Sequence, residues 1–286
     1  MSEFRTKRQI LRAALEARER FQVERIRTSN SIGAILRGAD ASSLKSERQR
    51  LEKLLEYAQK LEDIYDNFTR SLAKDDPLVK RMTYVRGVSF TSAAKLLAYI
   101  DIQKAETVSK LWRFCGYGVV DGKAEKPVKG EKRHYSSRMK KYLFQIATQF
   151  LRNRSRYALV YYVMRYRYER ERPDWTPLRR HLAAIRKMVK VYLTHLWEEW
   201  REAEGLPVRA LYVHERMGHT FIYDKDWFWS SEELKDEDIP MEVRQWATSR
   251  KEIQEIDTGN GNGEQEQQAT LTGRYVRHAP SKTSWL

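Results

Sequence analysis

A chain of 286 residues, 41% hydrophobic and 33% charged, is long enough to bury a sizeable core and predicts one or two charge-rich helical domains plus an appendage. No apolar run reaches the length of a membrane span and residues 1–10 carry no signal-peptide core. The single cysteine, Cys115, excludes an intrachain disulfide framework, so the expected compartment is the cytoplasm. The net charge of +15 is unevenly placed: residues 123–190 hold 20 Lys and Arg against 5 Asp and Glu, which predicts a polyanionic partner and salt-sensitive binding. A membrane surface is not the expected partner, because no segment combines a basic face with an exposed apolar one.

Residues 4–37 are rich in Arg, Glu, Ala and Gln without proline, and predict one long polar helix. Gly38 to Ser43 interrupts it, with Ser42 or Ser43 suited to cap the next helix. There Leu51, Leu54, Ala58, Leu61, Tyr65, Phe68 and Leu72 alternate by three and four, a heptad seam. Two long helices on a short linker either fold back on each other or pair with a second chain. The narrow stripe favours a homodimer through Leu51, Leu54, Leu61, Tyr65, Phe68 and Leu72.

Asp75-Asp76-Pro77 ends this arm. Within 83–100, Gly87, Val88 and Ser89 form a tight turn, and Ala93, Ala94, Leu96, Leu97 and Ile100 recur at helical spacing. This reads as a helix-hairpin-helix. Glycine permits positive φ at the turn, and the free amides of the second helix suit a nucleic-acid phosphate. A plain turn between two core helices is the competing reading.

Residues 102–114 predict a further helix, with Val108, Leu111, Trp112 and Phe114 in the core. Residues 115–133, rich in Gly and Lys with little periodicity, predict a basic loop. Residues 134–172 read as one long helix with Leu143, Ile146, Phe150, Tyr157, Tyr161, Met164 and Tyr168 on one face. Pro173 and Pro177 break it, and Thr176 caps a helix over 177–204. Its inner face runs Leu178, Leu182, Ile185, Val189, Tyr192, Leu196 and Trp200, with Arg179, Arg180, Arg186, Lys187 and Lys190 as an outer basic stripe. His214, Glu215 and His219 are too widely spaced for two histidines to share a helix face as metal ligands, so no metal site and no cofactor are expected. Residues 239–256 suggest a short amphipathic helix, and 258–270 lack core-forming residues.

The ordered series GVSFTSAAKLLAYI, LWRFCGYGVVDGK, KGEKRHYSSRMKKYLFQIATQFLR, a Tyr-rich helix and LRRHLAAIRKMVKVYLTHLW resembles the C-terminal transposase domain of a family of insertion-sequence transposases. That family includes the Piv-like DNA invertases and the bridge-RNA-guided recombinases. The resemblance covers residues 78–204, and the heptad segment before it resembles the family's dimerising arm. It implies a DNA-binding protein of a mobile genetic element, acting in transposition or recombination.

Two departures bear on chemistry. The family's RuvC-like domain, whose carboxylates bind divalent metal, has no counterpart before the heptad segment, so a metal-assisted nuclease is not expected. Asp121 stands where the family has a nucleophilic serine, with shorter spacing. Ser136 and Ser137, flanked by Arg133, His134 and Arg138, are the nearest hydroxyls for a catalytic role, although capping of the following helix is the preferred reading.

The expected fold is therefore mainly α. It comprises a coiled-coil arm (1–75), a helical DNA-binding domain (76–205), an extension (206–256) and a disordered tail (257–286). The expected nucleic-acid contacts are Gly87, Val88, Ser89, Thr91, Lys95, Lys123, Lys126, Lys129, Lys132, Arg133, Arg138, Lys140, Lys141, Arg152, Arg154 and Arg156. The expected function is binding of DNA backbone phosphates. The alternatives are a serine-dependent strand transferase that takes its metal-binding partner in trans, and a protein that binds structured RNA.

Overall fold

The computed structural model describes residues 2–38, 45–120, 122–125, 130, 133–208 and 224–249. The chain is mainly helical and divides into two compact units at Ile239. The expectations for Ser42 and Ser43, Asp121, His214, Glu215, His219 and the tail 257–286 lie outside the described residues.

Helix α1 (Ser2–Gly38) and helix α2 (Lys45–Ala73) run antiparallel against each other, so the long helices fold back within one chain. Phe21 stacks on Tyr65 with ring centroids 5.4 Å apart. Between them Glu62, buried, receives Arg18 at 3.1 Å and Arg25 at 2.8 Å, and Arg18 also meets Asp66 at 2.9 Å. The predicted seam is split between two faces. Ala58 is buried, and Leu51, Tyr65 and Leu72 are half-buried on the α1 side, whereas Leu54, Leu61 and Phe68 are exposed.

This hairpin belongs to the same compact unit as the helices after it. Leu11, Ala14 and Leu15 are buried, Glu19 pairs with Lys95 at 2.8 Å, and Arg8 donates to the carbonyl of Ile100. Helix α3 (Pro77–Tyr84) starts where Asp76 Oδ1 accepts from the N–H groups of Leu78 and Val79 at 2.9 and 3.2 Å, with Pro77 at the first helical position. Gly87 follows at φ +90°, and Ser89 caps helix α4 (Phe90–Tyr99) by accepting from Ser92 N–H. A 3-10 turn (Ile102–Lys104) and the short helix α5 (Val108–Phe114) replace the single helix expected there. Val108 and Leu111 are buried while Phe114 is exposed. Two short strands, β1 (Val119–Val120) and β2 (Lys123–Ala124), pair antiparallel.

The long helix expected over 134–172 is two helices, α6 (Ser137–Arg152) and α7 (Ala158–Glu171). Arg154 at φ +47° turns the chain, and Ser155 N–H reaches back to the carbonyl of Phe150 at 2.9 Å. An arginine in the left-handed region is strained. It is held there by Leu234, whose N–H donates to the Arg154 carbonyl at 2.7 Å, and by pairing with Glu233 and Asp236.

Helix α8 (Pro177–Ala203), capped by Thr176, is the spine of the core. Trp197 and Trp200 are fully buried, with Trp197 Nε1 donating to the Ala105 carbonyl at 2.7 Å. Phe150, Tyr157 and Tyr192 form an aromatic cluster with centroid separations of 4.9 to 5.3 Å. Tyr157 is hydrogen-bonded to His195 at 2.8 Å, so Tyr157 and Tyr161 are core residues. Leu178 and Leu182, expected on the inner face, are exposed. The apolar stripe of α8 therefore extends two residues beyond its cover.

Residues 224–239, including helix α9 (Lys225–Phe228), lie against the break between α6 and α7. Phe228 and Leu234 are buried, and Lys225 pairs with Glu199 and Glu202, both at 3.0 Å. In the second unit, helix α10 (Met241–Ser249) fulfils the first half of the amphipathic helix expected over 239–256.

Candidate nucleic-acid interface

The basic residues of the sequence divide into those neutralised within the fold and those gathered without carboxylates. Lys95, on α4, is half-buried against Glu19 with its ammonium 4.4 Å from the centre of the Tyr142 ring. Arg138, on α6, pairs with Glu16 and donates to Tyr99 Oη at 2.9 Å. Arg154 holds Glu233 and Asp236, and Arg156 holds Glu232 and the Trp227 carbonyl. These four expected phosphate ligands are structural cations, each satisfied by an acid distant in sequence.

The Gly87 turn is likewise structural. A Cβ built on Gly87 would lie 3.1 Å from the Gln149 carbonyl oxygen and 3.2 Å from Phe150 Cδ1, so the glycine lets α6 approach. Val88 is buried, Thr91 is half-buried, and Ser89 is exposed but spends its Oγ on capping α4. Arg86 N–H donates to the Ser230 carbonyl at 2.9 Å, which covers the turn further.

Ser136 caps α6, its Oγ accepting from Met139 N–H at 3.2 Å, as the preferred reading has it. Ser137 is exposed, and its Oγ accepts from Arg133 Nη1 at 2.7 Å. Lys141 and Arg152 are exposed on α6. Lys126, Lys129 and Lys132 lie outside the described residues, as does the side chain of Lys123.

The opposite case lies where α5, α6 and α8 converge. Gly116, at φ +79°, has no room for a side chain: a Cβ would sit 2.8 Å from Tyr135 Cδ2 and 3.0 Å from Lys140 Cδ. This close approach ties the end of α5 to the start of α6, helped by Ser136 N–H donating to the Phe114 carbonyl at 2.8 Å. On α8, Arg186 donates through Nη2 to the carbonyls of Tyr117, at 2.7 Å, and Gly118. One turn later Trp112 Nε1 donates to the Lys190 carbonyl at 3.1 Å, and the Lys190 ammonium stands 3.8 Å from the centre of the Trp112 ring.

Lys140, Arg186, Lys187 and Lys190 are thus held together, all half-buried. Among the described residues, no carboxylate comes within ion-pair distance of Lys140, Arg186 or Lys190. The electrostatics follow from this crowding. Burial and then the charges of Arg186 and Lys187 pull the Lys190 ammonium down to about 8. Burial also lowers Lys187, with a contribution from Arg167, and lowers Lys140, where Arg186 adds to it and Glu125 opposes. Lys140 and Lys190 are both lowered by burial and by the charge of Arg186, and these three form a site of positive potential suited to phosphate oxygens.

No protein-family model matches this chain, and neither a curated protein nor a solved structure does. The site therefore rests on its own geometry. Among the described residues no group of His, Cys, Asp and Glu is placed to hold a metal ion, and no helix is long and apolar enough to cross a membrane.

The sequence pattern places Arg186, Lys187 and Lys190 on a basic stripe without singling them out. The missing signal is Trp112, whose ring and N–H fix Lys190 from 78 residues away. The aromatic base of the site becomes visible only when α5 is laid on α8.

Proposed function

We propose that this chain binds the sugar-phosphate backbone of a nucleic acid through Lys140, Arg186, Lys187 and Lys190, with the exposed Arg133, just before α6 and near Lys140, as a further contact. The observation that supports the reading is the Lys190 ammonium, held over Trp112 beside the Arg186 guanidinium, with no described carboxylate at ion-pair distance from either. A protein stabilised by its own ion pairs neutralises such groups, as this one does at Lys95, Arg138, Arg154 and Arg156. Leaving cations clustered in this way is unfavourable until an anion arrives. The resemblance of 78–204 to transposase domains makes duplex DNA the first substrate, in a role in transposition or recombination. The Ser136 hydroxyl is occupied in capping, so the alternative of a serine-dependent strand transferase would rest on Ser137, exposed with its Oγ against Arg133.

The test is titration of a short DNA duplex with the full chain across a salt series. The double substitution Lys187→Glu, Lys190→Glu is expected to weaken binding about 100-fold at moderate salt. It should also reduce the slope of log K against log salt by about 2, one unit for each phosphate no longer neutralised. Unchanged affinity and slope would remove this cluster from the interface. A structured RNA that outcompetes the duplex would replace DNA as the partner.

The pH dependence has a definite sign. In the free protein Lys190 loses its proton near pH 8, and a bound phosphate favours the protonated form. Binding should therefore take up a proton and weaken as the pH rises from 7 to 9, and Lys190→Gln should flatten this dependence. Lys190 also opposes folding below pH 8, where it is charged in an unfavourable place. That cost fades between pH 8 and the ordinary lysine range as the native state releases its proton before the unfolded one does.

A further inference from the structure

Where α5 lies on α8, one lysine amine is fixed in place instead of extending into solvent. The Lys190 ammonium stands 3.8 Å from the centre of the Trp112 ring, and the N–H of the same ring donates to the Lys190 carbonyl at 3.1 Å. Arg186 sits one turn earlier on α8, where residues four apart are neighbours. Its Nη2 is anchored on the carbonyls of Tyr117 and Gly118. Among the described residues its Nε and Nη1 have no hydrogen-bond partner, which leaves an oriented guanidinium with donors open to phosphate oxygens. A fixed amine beside a fixed anion receptor is the arrangement that an electrophile carrying its own phosphate requires.

We propose that Lys190 is a site of acylation by small acyl phosphates, the donor's phosphate seated on the Arg186 guanidinium and its carbonyl carbon presented to the Lys190 amine. Neighbours four apart on a helix stand about 6 Å from each other at Cβ, and in an acyl phosphate one oxygen joins phosphorus to the carbonyl carbon, so a single small molecule reaches both groups. Lys190 is half-buried, which limits the donor's size. The step is an acyl transfer. The free amine adds to the carbonyl carbon, and a C–N bond forms as the C–O bond to the phosphate breaks. Inorganic phosphate leaves with the electron pair beside Arg186, whose charge stabilises it, and the surplus proton on nitrogen passes to water. Burial and the charges of Arg186 and Lys187 favour the neutral amine, so at pH 7.5 about a quarter of Lys190 is unprotonated, against about one part in a thousand of an ordinary lysine. The amide product carries no charge. Acylation therefore removes one cation of the cluster, and the loss of nucleic-acid affinity that follows rests on the function proposed above, whereas the acylation itself does not.

The full chain, free of nucleic acid, is treated with acetyl phosphate at pH 7.5 and acetylation is followed site by site with peptide mass spectrometry. Lys190 is expected to react at least about tenfold faster than Lys141, which is exposed on α6. An excess of inorganic phosphate should slow the reaction at Lys190 and leave Lys141 unchanged. The same excess should leave labelling of Lys190 by acetic anhydride, a donor without phosphate, at its original rate. Equal rates at Lys190 and Lys141, or no slowing of Lys190 by phosphate, would overturn the proposal. These measurements need no variant, so loss of the fold does not confuse them. Affinity of the acetylated chain for duplex DNA is a separate readout: full acetylation of Lys190 with unchanged affinity would support the acylation and count against the nucleic-acid function.

Discussion

Gly87→Val is expected to destabilise the fold by about 4 kcal/mol. Positive φ costs a non-glycine residue roughly 1–2 kcal/mol, and forcing bulk into a packed place costs about 1–3 kcal/mol more. Gly87 stands at φ +90°, and a Cβ there would meet the Gln149 carbonyl oxygen, which belongs to a helix backbone and cannot swing aside. Gly87→Ala should lose about half as much, since it keeps the φ penalty but adds only one methyl group. Denaturant unfolding measures both. The sequence pattern makes this glycine a place for phosphate to approach, which predicts weaker DNA binding on an intact fold. The structure moves the effect to stability, and equal unfolding midpoints for the wild type and Gly87→Val would restore the first reading.

Glu62→Ala is expected to cost about 3 kcal/mol and to lower the melting temperature by roughly 6–12 °C. The carboxylate is buried between Arg18 and Arg25, and its removal strands two partly buried guanidinium groups with like charge. Only Arg18 keeps an acid nearby, Asp66 at 2.9 Å. The triple change Arg18→Met, Glu62→Leu, Arg25→Met should by contrast leave stability near the wild-type value, because it removes the charges together and supplies apolar contact in their place. Thermal unfolding of the two variants side by side separates the worth of the ion group from the cost of breaking it.

Much of the fold is legible because helix ends are written locally. Asp76-Pro77 and Thr176-Pro177 place a capping oxygen and a proline where a helix must begin, and both helices begin there. The break at Arg154 is not legible. It depends on Leu234, Glu233 and Asp236, some eighty residues on in the chain, and the periodicity of 134–172 runs through it undisturbed. The heptad of α2 is visible, but interleaved residues of two neighbouring stripes imitate one seam, and only the position of α1 separates them.

The site is legible as an excess of charge and illegible in its membership. A count of lysines and arginines cannot tell which of them have acids waiting elsewhere in the fold. Lys95, Arg138, Arg154 and Arg156 do, through Glu19, Glu16, Asp236 and Glu232. Among the described residues, the cations brought together with no acid at ion-pair distance are Lys140, Arg186 and Lys190, and two of the three lie on α8, outside the residues that the sequence singles out.

The attachment of residues 224–239 to the α6–α7 break bears on the order in which the molecule assembles. The bonds to the break close long loops, Arg154 to Leu234 across 80 residues and Arg156 to Trp227 across 71, and Arg86 in the turn before α4 reaches Glu233 across 147. Contacts this distant in the chain lose most entropy on forming and are made after the local helix pairs. Glu232→Ala and Glu233→Ala should therefore speed unfolding while leaving the refolding rate almost untouched, so that these arginines act as a latch on the lifetime of the native state rather than as a guide to reaching it.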